Sequence, residues 1–286
     1  MKRFLTGTMA ALLALFLWSN LVTYPVWLAL DAMGHGDVSF RRVFSRVLMV
    51  GAFLLLIPLW RYWKIRGWTA LGFQWKPGTL RTALWSFLLG LALVGALALW
   101  SAAWGHRVWH PELHVAKSLG HLFSAVSIGF FEETIFRGIF FLAVLSFTPG
   151  RMLPWVAVAG SLVFAAMHFF IDVRPPGGTP DWWTVWEMWR HWAASLADPE
   201  SVCRRGLGLF LAGLVLCATA WRAGHLWAAV GLHAGWVFAI KSVHGLSDHR
   251  GGDTLWFTSD LLGGLWAAVF LAVFLALQLS PLARRR

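Results

Sequence analysis

Polar positions interrupt this chain at long intervals, and the stretches between them are almost unbroken runs of Leu, Ala, Val, Phe and Trp. A helix that crosses a bilayer needs about 20 mostly apolar residues, because each backbone amide must find its partner within the segment. About eight runs meet this pattern, near residues 5–30, 43–60, 82–104, 119–146, 152–171, 206–221, 225–241 and 261–280. The pattern therefore predicts an all-α, polytopic membrane protein of about eight transmembrane helices. The first run follows Lys2 and Arg3, as in a secretory signal. It stays apolar too long for one and has no small-residue cleavage site, so it reads as an uncleaved span.

Composition agrees with this pattern. Of 286 residues, 58% are hydrophobic and 13% charged, whereas a soluble domain carries roughly 25% charge. Mean hydropathy is +0.64. Two cysteines exclude a disulfide scaffold. The net charge of +11 raises nucleic acid as a partner, but the basic residues punctuate hydrophobic runs and form no soluble basic face. The expected partner surface is the lipid bilayer, with no nucleic acid.

Charge also orients the spans. With a cytoplasmic N-terminus, the inner segments hold Lys2, Arg3, Arg61, Lys64, Arg66, Lys76, Arg81, Arg151, Arg222 and Arg284 to Arg286, and no acidic residue. The acidic residues outside the runs, from Asp31 to Asp260, all fall on the other side. Both termini are expected inside, as an even number of spans requires, in a bacterial inner membrane. Three regions are expected: 1–118, an N-terminal three-helix part; 119–241, a core with a Trp-rich outer loop at 172–205; and 242–286, a last helix with a basic tail. In that loop Trp182, Trp186 and Trp189 share a helical face, which predicts an interfacial helix or a lid.

One acidic pair lies inside a span. The fourth run contains Glu132-Glu133-Thr134-Ile135-Phe136-Arg137. Each charge at a helix centre costs about 2.5–3.5 kcal/mol on insertion scales, so the group asks for partners and a function. Glu133 and Arg137 are four residues apart, a spacing that forms an ion pair on one face. Glu132 points about 100° away and is available for chemistry. His168 and His233 lie in two later apolar runs, beside small residues such as Ala165, Ala166, Ala234 and Gly235. A carboxylate and a neutral imidazole can hold a water for hydrolysis while a second donor stabilises the oxyanion.

These residues resemble the CPBP family: the CAAX proteases and the bacteriocin-processing or immunity (ABI) proteins, which include the Ras-converting prenyl endopeptidases. The family pattern is Glu-Glu with Arg four residues on, Phe with His four on, and His with Asn or Asp four on. Glu132-Glu133 with Arg137 matches the first and Phe164 with His168 the second. In the third, His233 is followed by Val237, which offers no hydrogen bond. The resemblance implies a glutamic-type intramembrane endopeptidase without a cofactor, acting on a membrane-anchored protein or peptide. Glu132 would activate water with His168, Glu133 and Arg137 would support them, and His233 would face the oxyanion. A backbone N–H, the Trp236 indole or another side chain is left to supply the donor missing at Val237.

Two rivals stand beside this reading. Glu132, His168 and His233 also form a 2-His-1-carboxylate set suited to a metal-dependent protease. His106, His110 and His114 have helical spacing, but Pro111 interrupts them, which assigns them a structural or interfacial role. A non-enzymatic immunity or scaffold protein would use the same buried pair only to lock helices together.

Overall fold

The computed structural model describes residues 2–65, 67–110, 115–146, 148–169 and 178–280. Pro175, Pro176, Gly177, His114, Pro111 and the terminal arginines lie outside the described residues. Among the described residues the fold is all-α, apart from two three-residue strands. The helices are α1 (Lys2–Ala32), α2 (Phe40–Tyr62), α3 (Thr79–Ala103), α4 (Val115–Glu133), α5 (Leu153–His168), α6 (Thr184–Ala197), α7 (Leu207–Ala223), α8 (Trp227–Leu246) and α9 (Gly264–Leu279). β1 (Arg107–Trp109) and β2 (Ser247–His249) pair antiparallel, with Val108 opposite Asp248.

Five helical stretches are long and apolar enough to cross a membrane: Thr6–Ala32, Phe40–Tyr62, Thr79–Ala103, Gly150–His168 and Pro199–Ala223. The chain is a multi-pass membrane protein. The other three expected runs are also helical but fall short of that criterion. α9 has 16 residues. α8 dilutes its apolar residues with His233, Lys241 and His244, and the α4 run carries Glu132, Glu133 and Arg137.

The chain forms two compact units. The first comprises residues 1–65 and 166–199. Its core joins Leu15 of α1, Phe40, Phe44 and Leu48 of α2, and Val185 and Met188 of α6. Indole N–H groups tie the helices together: Trp18 donates to the Val47 carbonyl at 2.9 Å and Trp189 to the Ser19 hydroxyl at 3.2 Å. α6 starts on a local device, since Asp181 accepts from the Trp183 and Thr184 amides and from the Thr184 hydroxyl. The tryptophan face expected in this segment is only partly present. Trp182, Trp183 and Trp186 are exposed, but Trp189 turns inward against Phe44. Trp182 precedes the first helical turn, so helical spacing does not govern its direction.

The second unit comprises residues 66–165 and 200–286, with α8 packed against α3, α4 and α7. Small residues permit this closeness. Gly129 of α4 lies against α8, with the position of a Cβ 3.1 Å from the Val230 carbonyl, and Gly231 and Gly235 of α8 lie against the Ala83 and Phe87 carbonyls of α3. α7 ends on Gly224 at φ +67, which closes its last turn.

Candidate active site

The second unit brings four of the five expected site residues together. After Glu133 the helix widens from α to π geometry over Thr134–Ala143 and returns to α at Val144–Ser146. Such wide turns are rare and concentrate at functional sites. Glu133 and Arg137 sit at this junction and are 0% and 1% exposed. Arg137 Nη1 donates to Glu133 Oε1 at 2.9 Å, and Nη2 donates to the Gly213 carbonyl of α7 at 3.2 Å. Its guanidinium lies 4.2 Å over the Phe164 ring of α5, where the π face favours a cation.

His233 completes the group from α8. Its Nδ1 lies 2.8 Å from Glu133 Oε1, the oxygen that Arg137 also holds. Its Nε2 lies 3.8 Å from Glu132 Oε2. An ionised carboxylate only accepts hydrogen bonds, so the bond to Glu133 assigns a proton to Nδ1. Nε2 then presents a lone pair toward Glu132 in the neutral ring, or an N–H in the imidazolium. The carboxylates differ sharply in setting: Glu133 is fully buried, while about a quarter of the Glu132 side chain is exposed. Phe164 stacks edge-on to His233 at 6.1 Å between centroids.

His168 is the last residue of α5 and belongs to the first unit, whereas Glu132, Glu133, Arg137 and His233 belong to the second. Val237 is half-buried one turn after His233. The Trp236 indole N–H is buried without an acceptor among the described residues. No group of three His, Cys, Asp or Glu side chains among the described residues is placed to hold a metal ion. His110 meets Asp248 at 2.5 Å across the β1–β2 pair, which is a structural contact outside the helices. Sequence reasoning missed the Gly213 carbonyl and the Phe164 ring as partners of Arg137. A main-chain acceptor on a glycine leaves no trace in the pattern of residue types.

Residues 115–239 match the family model of the type II CAAX prenyl endopeptidases, Rce1-like. The likeness is to this segment alone. The segment contains Glu132, Glu133, Arg137, Phe164, His168 and His233, and takes in less than half of the chain. No curated protein and no solved structure matches the chain. Within the matched segment, α4, its π extension and α8 supply every charged or imidazole group of the buried cluster.

Proposed function

We propose that the chain is an intramembrane endopeptidase of the CAAX-protease type that hydrolyses a peptide bond in a membrane-associated protein or peptide. One observation carries this reading. Of two adjacent carboxylates, Glu133 is buried and bound by Arg137 and His233, while the Glu132 side chain is about a quarter exposed and its buried Oε2 faces the second nitrogen of the same imidazole. A water held beside Glu132 would lose a proton to it as the hydroxide bonds to the scissile carbonyl carbon. Return of that proton to the amide nitrogen releases the amine and the carboxylic acid. His168 enters by the family resemblance as the second group on the water. His233 can serve the oxyanion only through Nε2, and only as the imidazolium, because Nδ1 is bound to Glu133.

The catalytic core under this reading is 119–241, set in a bacterial inner membrane with both termini cytoplasmic; reporter fusions at each end test the orientation. The function is tested by comparing the membrane-protein profile of a strain carrying Glu132→Ala with its parent. An uncut precursor should accumulate in the variant, and the same is expected for His168→Ala. Normal processing by a folded Glu132→Ala protein would overturn the assignment. A second reading is favoured by the burial of the Glu133–Arg137–His233 cluster, whose bonds through Glu133 Oε1 can lock helices without any chemistry. The Glu132 variant separates the two, because a scaffold tolerates it.

A further inference from the structure

The first turns of α4 and the last turns of α8 bring three basic side chains together within the second unit. Lys117, His121 and Ser124 are spaced i, i+4 and i+7, which puts them on one face of α4. Lys241 reaches this face from α8 and donates from Nζ to Ser124 Oγ at 2.5 Å. One turn further along α8, Gly245 leaves room for the His121 ring, whose Cε1 lies 3.7 Å from where a Cβ of that glycine would stand. Lys117 and Lys241 both act electrostatically on His121. No Asp or Glu among the described residues pairs with Lys117 or His121. Like charges gathered in this way raise one another's energy, so an anion placed among them is stabilised.

The surroundings of the cluster indicate what carries that anion. Lys117 is exposed, and His121 and Lys241 are half-buried, so the group is open to a ligand from outside the helix pair. Lys241 lies within two turns of the end of α8, where the chain passes directly into β2 and its pairing with β1. Trp109 of β1 and Trp104 just before it are exposed, the composition of a membrane–water interface. Lipid phosphates lie at that level. Beside the basic face, Leu119, Leu122, Phe123 and Val126 form an exposed apolar strip at i, i+3, i+4 and i+7 of the same helix, along which an acyl chain can lie. A headgroup with net negative charge suits the cluster, whereas a zwitterionic one brings a cation of its own. A peptide carboxylate would answer the charge and leave the apolar strip without a role.

We propose that Lys117, His121 and Lys241 bind the phosphate of an anionic glycerophospholipid. The test uses the full chain in nanodiscs of equal parts phosphatidylglycerol and phosphatidylcholine with the same acyl chains. Native mass spectrometry after extraction reads the lipid retained per protein. Phosphatidylglycerol should be retained in preference, and Lys117→Gln should lower its retention about fivefold, as one lysine beside an anionic headgroup implies. Lys241→Gln should act similarly; the exposed Lys117 position carries the test if loss of the bond to Ser124 prevents folding. Arg42→Gln, at an exposed basic position of the first unit, should change nothing. Equal retention of the two lipids, as expected if the cluster serves a peptide carboxylate, would overturn the proposal. So would unchanged retention in Lys117→Gln, an equal loss in Arg42→Gln, or displacement of the lipid by millimolar inorganic phosphate, which would make free phosphate the ligand. Ser124 and Lys241 lie eight residues from Glu132 and His233 along α4 and α8, about 12 Å, so the result is independent of the protease reading.

Discussion

Replacing Arg137 by methionine keeps most of the side-chain volume but removes the cation from a fully buried pair. Glu133, at 0% exposure, would keep His233 as its one remaining partner at hydrogen-bond distance and lose the 2.9 Å bond from Arg137. Removing one member of a buried ion pair costs about 3–5 kcal/mol, because the other charge stays desolvated. The loss of the 3.2 Å bond to Gly213 and of the Phe164 stack falls within that range. Thermal unfolding in detergent, followed by circular dichroism, should show a midpoint lower by roughly 10 °C. The double variant Glu133→Gln/Arg137→Met removes both charges and should recover much of the loss, giving a coupling energy of about 1–3 kcal/mol. The reasoning is refuted if Arg137→Met unfolds within about 1 kcal/mol of the parent, or if the double variant is no more stable than the single one.

Gly235→Ala would drive a methyl group into the Phe87 carbonyl of α3; about 1–3 kcal/mol of stability should be lost, measurable as a lower unfolding midpoint together with reduced processing. Asp253, in the loop before α9, is held below its ordinary value of 3.8: burial pushes it up, but hydrogen bonds from Ser259 and the charges of Arg205 and His249 outweigh this. A depressed carboxylate stabilises the fold above its unfolded pKa and loses that contribution as pH falls through the folded one. Asp253→Asn should therefore be less stable than the parent at neutral pH, and the gap should close below pH 3.8; an unfolding series against pH that shows a constant gap would contradict this. Under the protease reading, processing should persist after chelator treatment, and loss restored by added metal would favour the metal-dependent alternative.

The membrane class was legible because apolar runs of helical length have few other uses, and the site because ionisable groups in oil are conspicuous. The Glu133–Arg137 pair followed from spacing on one helix. His233 was visible as an unusual residue, but its bond to Glu133 joins positions 100 residues apart and depends on how α8 leans on α4. The widening of the helix after Glu133 has no signature in residue type, since Thr134-Ile135-Phe136 would fit an ordinary α-helix equally well. Counting spans was harder than finding them. The α4 and α8 runs carry the polar residues that lower their hydropathy, so these two helices of the cluster fall short of the pattern that α5 and α7 meet.

The two glycines of α8 that flank His233 have a mechanical consequence. Gly231 and Gly235 are one turn apart, and each is seated on a carbonyl one turn apart along α3, Ala83 and Phe87. Two such notches index one rod against the other, so α8 can neither slide nor roll without lifting off both. The elevation of the imidazole is thereby borrowed from α3, a helix with no ionisable residue between Arg81 and His106. Lengthening α3 by a single residue before Ala83 would leave the chemistry untouched in composition and misplace its histidine relative to the bilayer.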